Sequence, residues 1–286
     1  MQRLSTRDIE AWHATLLTTG RKGRNGKGRD GQLDGRDGLS ARTVGHAHRV
    51  LSKALREAVR HDLLVKNVCT VQRAPKVIED EMQILTPQQV GDLPGQLHGH
   101  ALEVPTLVAA FCGLRRAEIL ALQLGDIDLE EEVIHVRRSL EETKAGGLRF
   151  KLPKSKAGVR DVTLPAIVTD ALHVHYKRLL ERRLLLGQGK PTDTDLVFPD
   201  WLGRPWSPNG FGATWSKLAT RLGLGISFHG LRHTHASQLI DAKVPITTIA
   251  KRLGHSSPLV TLKVYAHLFR ENDSEAAAAI NAALGG

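Results

Sequence analysis

The chain has 286 residues, a formal charge of +10, a pI near 9.9, 41% hydrophobic residues and two cysteines. That length suits one large domain or two ordinary ones with a sizeable core, and the charge points to polyanions, nucleic acid first among them, or to mere solvation. No run approaches the ~18 apolar residues of a membrane span, and the opening MQRLSTRDIE lacks the basic region and apolar core of a secretory leader. Cys69 and Cys112 lie far apart among apolar neighbours and read as buried free thiols of a reducing cytoplasm, not as a disulfide or thiolate zinc site.

The charge is uneven. Residues 1–80 hold 16 Lys and Arg against 9 Asp and Glu, whereas the remaining residues hold 24 against 21. STRDIEAWHATLL predicts a helix with Ile9, Trp12, Leu16 and Leu17 as its apolar stripe. Residues 20–38, dense in Gly, Arg and Lys and without apolar period, predict a loop that either lies against phosphates or is a solvated insertion. A second helix starts after Ser40, with Val44, Val50, Leu51, Leu55, Val59 and Leu63 on one side and Arg42, Arg49, Lys53, Arg56 and Arg60 largely on the other. Such a basic face suits a DNA groove or backbone. Residues 73–87, with two prolines and mixed charge, read as a linker.

Thr86-Pro87 then opens a helix, and two mostly apolar helices follow, broken at Gly113. EEVIHVRRSL, LRFKLPKSK and VRDVTLP alternate apolar and polar residues and predict three short antiparallel strands. Helices are expected at 165–186, 208–222, 230–242, 245–253 and 258–270, and the tail SEAAAAINAALGG as a closing helix with a small-residue face. The fold class is mainly α with a small antiparallel three-stranded sheet.

No phosphate-loop motif and no G-x-S-x-G run is present. His229, His233 and His235 could present two ligands to zinc, but Gly230 stands where a zinc hydrolase of that layout carries its glutamate. Arg115 and Arg232 suit a phosphodiester whose negative charge grows on its non-bridging oxygens, while pairing of either arginine with Glu118 or another carboxylate is the plainer alternative. Tyr265, one of two tyrosines, shares a helix face with Leu262 and Phe269 and on its own reads as a core residue.

Taken together, GLRRAE at 113–118, PKSKAGVRDVTLP at 153–165, HGLRHTHAS at 229–237, LGH at 253–255 and Tyr265 in TLKVYAH occur in the order and spacing of the tyrosine recombinases of the phage-integrase type. The chain resembles that family from about residue 4 to residue 270. The resemblance implies Arg115 and Arg232 as the phosphate-binding pair, and His229 and His255 as the two family histidines. It implies Lys156 as general acid, with Lys154 as fallback, Tyr265 as nucleophile, and Glu118 and His233 as supporting positions. The implied reaction is cleavage and rejoining of DNA through a 3′-phosphotyrosine link, which conserves the bond energy and requires no cofactor, metal or ATP.

The resemblance also implies a helical core-type DNA-binding domain at 1–76 lacking its first helix, a linker at 77–82 and an α+β catalytic domain at 83–286. The expected partner is double-stranded DNA at specific recombination sites. A homotetramer on DNA, an accessory bending or directionality factor, no membrane, and a cytoplasmic, nucleoid-associated place in a bacterial or phage setting are also expected. The tail EAAAAINAAL either docks on a neighbouring protomer or packs on its own domain. Family members carry a further helix ahead of LSTRDIEAWHATLL, so a DNA-binding protein with a truncated clamp that no longer recombines is the alternative expectation, and a metal-dependent nuclease the third.

Overall fold

The computed structural model describes residues 4–19, 38–77, 82–143, 145–153, 155–268 and 281–282, which fall in two units, Met1–Glu81 and Met82–Gly286. The expected loop at 20–38, Gly38 excepted, Lys154, and the expected tail helix beyond residue 268, except for 281–282, lie outside the described residues.

In the first unit α1 (Thr6–Thr19) and α2 (Ala41–Arg60) pack with a 3-10 turn at Val68–Thr70. Ser40 caps α2 by accepting from the Thr43 N–H at 3.2 Å. Ile9, Leu55, Val68 and Cys69 form the small core, backed by Leu4, Leu51 and Leu64. Two expected apolar stripes need correction. In α1 Leu17 is exposed and His13 is buried instead; in α2 Val50 is 70% exposed, and Leu63 lies exposed beyond the helix end. At 100° per residue Val50 lies far from the 44, 48, 51, 55 row, so His48 takes the buried place, with its Nδ1 3.2 Å from His13 Nε2.

The second unit opens with α3 (Pro87–Leu97), whose Thr86 and Gln89 form a reciprocal capping box. α4 (Glu103–Cys112), buried along most of its length, ends at Gly113 in the left-handed region with φ 69°, and the single turn α5 (Arg116–Ile119) follows. A Cβ at Gly113 would sit 2.5 Å from His235 Cδ2, so both the backbone angle and the space call for glycine.

The strands are β1 (Ile127–Asp128), β2 (Val133–Val136), β3 (Ser139–Thr143), β4 (Gly147–Lys151) and β5 (Arg160–Thr163). They are antiparallel, as expected, but divide into a three-stranded sheet β1-β2-β5 and a two-stranded sheet β3-β4. The first expected strand is therefore two. Its alternation would place residue 138 inward beside Ile134, Val136 and Leu140; Arg138 there pairs with buried Asp126 at 2.6 Å, and the chain leaves one sheet for the other. In register, Ile134 faces Val162, and Glu141 faces Arg149, with which it forms an ion pair.

α6 (Ala166–Leu185), α7 (Pro208–Arg221), α8 (Phe228–Asp241), α9 (Ile246–Leu253) and α10 (Pro258–Tyr265) follow the expected ranges closely, except that the last helix passes into a 3-10 turn at Ala266–Leu268. One core joins α3, α4, the sheets, α6, α7 and the start of α8, and a smaller one gathers Ala236, Ile240, Ile249, Leu253 and Tyr265. Both cysteines are buried and free.

Trp215 anchors the larger core, with Nε1 donating to the Ile226 carbonyl at 3.1 Å and its ring edge-on to Phe228. Trp215→Ala is expected to cost about 3–5 kcal/mol, measured by urea unfolding; a loss below about 1 kcal/mol would contradict this packing.

Candidate active site

The site is built on the C-terminus of α9. Gly254 ends that helix with φ 66°, and the N–H groups of Gly254 and His255 return to the carbonyls of Lys251 and Ala250, each at 3.0 Å. The next three carbonyls each accept from a different arginine. Arg160 Nε donates to Arg252 O at 2.7 Å, Arg232 Nη2 to Leu253 O at 2.6 Å, and Arg115 Nη2 to Gly254 O at 3.3 Å. A helix C-terminus is negatively polarised and leaves its last carbonyls without backbone donors, which draws cations to it.

Each arginine is held from its own side. Arg115 caps α5; its backbone N–H donates to Glu118 Oε2 at 2.8 Å and its Nη1 to Oε1 at 2.6 Å. The plainer alternative, an Arg115–Glu118 ion pair, is thus realised, and Arg115 still keeps one edge open to solvent. Arg232, 2% exposed, also donates from Nη1 to Gly113 O at 2.6 Å. Burial and the nearby Arg115 push its pKa down to about 9, which leaves it charged at neutral pH. Buried Glu118 bonds Arg160 Nη2 at 2.9 Å and Nη1 at 3.2 Å, and the arginines around it outweigh burial and hold its carboxyl below the ordinary range.

His229, Arg232 and His233 share one face of α8 at i, i+3 and i+4. His229 and His233 meet edge to face with centroids 4.6 Å apart, and His233 Nδ1 lies 2.7 Å from the Tyr265 hydroxyl. Desolvation of the packed part of the exposed His229 ring, with the charges of Arg232 and Arg115, lowers its pKa; partial burial and the same kind of neighbours bring His233 to about 4. His255 Nε2 is 3.0 Å from Arg232 Nη2, and its Nδ1 is 2.7 Å from Thr261 Oγ1. A guanidinium can only donate, so Nε2 accepts and the proton sits on Nδ1: His255 is neutral, in agreement with a pKa pushed down to about 4 by desolvation and Arg232.

Tyr265 is 1% exposed, and burial raises its phenol to about 12. Its buried helix neighbour is Thr261, not Leu262, which is exposed; Phe269 lies outside the described residues. Lys156 is exposed and begins a 3-10 turn, Lys156–Gly158, whose Gly158 carbonyl accepts from Arg160 Nη1 at 3.3 Å.

The three candidate zinc ligands do not converge. His235 is turned away, accepting from Arg252 Nε at 3.1 Å and bonding the Ala110 backbone through its other nitrogen, with a pKa pushed down to about 3 by burial. Among the described residues no group of three or more His, Cys, Asp or Glu is placed to hold a metal, and no helix is long and apolar enough to cross a membrane.

Sequence reasoning missed Arg160, Arg252 and Thr261. For Arg160 a signal was present: alternation in VRDVTLP puts it on the inward side with Val162, where a charge demands a partner. Arg252 ties α9 to α4 and β5 through the carbonyls of Phe111 at 3.2 Å and Thr163 at 3.1 Å, which no local pattern announces.

In the first unit, Arg42, Arg49, Lys53, Arg56 and Arg60 are all exposed, and at 100° per residue they fall within about 60° of one another, opposite the buried row of Val44, His48 and Leu55. Over its 20 residues α2 therefore presents a continuous cationic stripe.

Residues 83–272 match the phage integrase family, and the chain belongs to that family. It is 28% identical to a XerC-like tyrosine recombinase of Caldanaerobacter subterraneus over 261 residues, 85% of this chain and 67% of that protein. Against the integrase of Staphylococcus phage L54a it is 28% identical over 174 residues, 59% of this chain and 48% of the relative. The ICEBs1 integrase of Bacillus subtilis is 29% identical over 244 residues, 84% and 65%. The chain thus spans about half to two thirds of the length of these relatives. In fold it is similar to the Tn1549 transposon integrase in complex with circular intermediate DNA, with a TM-score of 0.75, 22% identity and coverage of 97% of this chain and 85% of that one. It is also similar to a lambda integrase dimer bound to a core site, with a TM-score of 0.60, 16% identity and coverage of 95% and 83%.

The depressed histidines make stability depend on pH. Unfolded, each titrates near 6.5; folded, His233 and His255 titrate near 4 and His235 near 3. Between those values the unfolded chain binds more protons, so stability is present above about pH 6.5 and is lost as pH falls towards 4, by up to about 1.4 kcal/mol per pH unit for each group. Urea midpoints at pH 7, 6 and 5 are expected to fall in that order, and less steeply for His235→Gln. A midpoint constant to pH 5 would contradict the neutral histidines.

Proposed function

We propose that the chain is a site-specific DNA recombinase of the integrase type that cleaves and rejoins DNA in the integration or excision of a mobile element. The observation that carries this reading is the convergence of Arg115, Arg232 and His255 on the end of α9, with Tyr265 one helix further on. Family membership and relatives named as integrases support it.

Arg115 and Arg232 bind the non-bridging oxygens of the scissile phosphate, where fixed guanidiniums gain most as charge develops in the pentavalent state. His229 and His255 hydrogen-bond the same group. Both start neutral, and a bound phosphodiester would raise their pKa values and make them donors. Tyr265 attacks phosphorus: the phenol O–P bond forms as the phenol proton passes to a neighbouring neutral histidine, the P–O5′ bond breaks, and Lys156 gives its proton to the leaving 5′-oxygen. His233 is the group in contact with the phenol in the resting geometry. Because Tyr265 is almost wholly buried, attack requires α10 to bring the hydroxyl out to the phosphate. Reversal by a 5′-hydroxyl of a second duplex exchanges strands without metal or ATP.

In this reading residues 1–76 form the core-type DNA-binding domain, 77–82 the linker and 83–286 the catalytic domain; the division of the chain near residue 81 supports it. The working form is a homotetramer on two duplexes at the nucleoid, with an accessory bending or directionality factor.

Nicked duplexes tiling the DNA that flanks the gene should trap a covalent adduct, insensitive to chelator and abolished by Tyr265→Phe. An adduct that survives that substitution removes Tyr265 as nucleophile, and loss with chelator points to a metal nuclease. Separately, Arg49→Ala, Lys53→Ala and Arg56→Ala combined should weaken DNA binding and reduce the slope of log K against log salt by about 0.9 for each phosphate no longer neutralised; an unchanged slope would remove α2 from the interface.

A further inference from the structure

We propose that Arg160 is a positioning residue for strand cleavage: it neutralises Glu118, so that Arg115 remains available to the phosphate, and it holds the lysine turn against the end of α9. The inference rests on the recombinase reading. Arg160 is buried, with a side chain only 3% exposed, and is too enclosed to meet DNA itself. Its bonds run in three directions. Two go to the Glu118 carboxylate, one to the Arg252 carbonyl at the close of α9, and one to the Gly158 carbonyl in the turn that carries Lys156. Three elements that bring Arg115, His255 and Lys156 are thus tied to one guanidinium.

The fit is tight. A Cβ at Gly254 would lie 2.7 Å from Arg160 Nη1 and 3.0 Å from the Ala157 carbonyl, so the guanidinium and the lysine turn together fill the space beneath that glycine. Glu118 accepts from both Arg115 and Arg160. Without Arg160 the buried carboxylate would have Arg115 as its one guanidinium partner, and the attraction that now anchors Arg115 would compete with the phosphate for it. A lysine cannot replace the fork, because it offers a point charge without bidentate geometry.

The full chain is assayed by single-turnover adduct formation on the nicked duplexes, beside DNA affinity and thermal melting. Arg160→Met is expected to slow cleavage about 100-fold while DNA affinity stays within about threefold. Arg160→Lys, which keeps the charge and decides the matter if the methionine variant does not fold, is expected to slow it about tenfold. Because Arg160 lowers the Glu118 pKa, either variant should move the acid limb of the pH–rate profile upward. Glu118→Gln combined with Arg160→Met should be faster than the product of the single effects predicts, since a neutral side chain no longer competes for Arg115. Cleavage by a folded Arg160 variant within threefold of the parent, an unmoved acid limb, or strictly multiplicative single effects would each overturn the inference. Absence of adduct with the parent chain would instead overturn the recombinase reading on which it stands.

Discussion

Three consecutive carbonyls at the close of α9 impose the arrangement of the whole site. Each is met by an arginine arriving from a different element: β5, α8 and the start of α5. Hydrogen bonds with a charged partner contribute about 1.5–3 kcal/mol each, enough to gather like charges that would otherwise repel. Glu118 offsets part of that repulsion. The rest is left as net positive charge at the site, with part of Arg115 and of His229 exposed to solvent.

The histidines follow from that charge. Two guanidiniums and partial burial disfavour a further proton, so His229 and His255 are neutral at rest, and the Arg232 guanidinium, which can only donate, fixes the single proton of His255 on Nδ1, facing the Thr261 hydroxyl. Neutral rings keep the site from becoming more cationic than the acceptors around it can support. On the proposed reading they also make the site responsive, since a bound phosphate would itself supply the field that turns the rings into donors.

Much of this was legible in the residues. Helices with strong apolar periods appeared where expected, and so did the Thr86 cap, the break at Gly113 and the helix end at residue 253, because those features are local. The basic face of α2 was also legible, although Val50, expected on the apolar side, lies 70% exposed. What was not legible came from distant partners. Arg138 breaks a strand because Asp126 lies beneath it; Arg252 looks like an ordinary helix-end cation and in fact joins α4 to β5; Thr261 shares the buried face with Tyr265 because His255 needs its hydroxyl. The two plainer expectations, a core tyrosine and an Arg115–Glu118 pair, both describe the resting geometry, and neither conflicts with the proposed chemistry, which begins when a phosphate enters.

The burial of Tyr265 bears on what happens away from a target. On the recombinase reading proposed above, a protein with a cationic helix face would spend most of its time on DNA it is not meant to cut. With the phenol enclosed and held at a pKa of about 12, such a molecule would present no exposed nucleophile during its search, and casual strand breakage would be suppressed by the fold itself. Damage control is then a property of the resting state, independent of how selectively any base sequence is read.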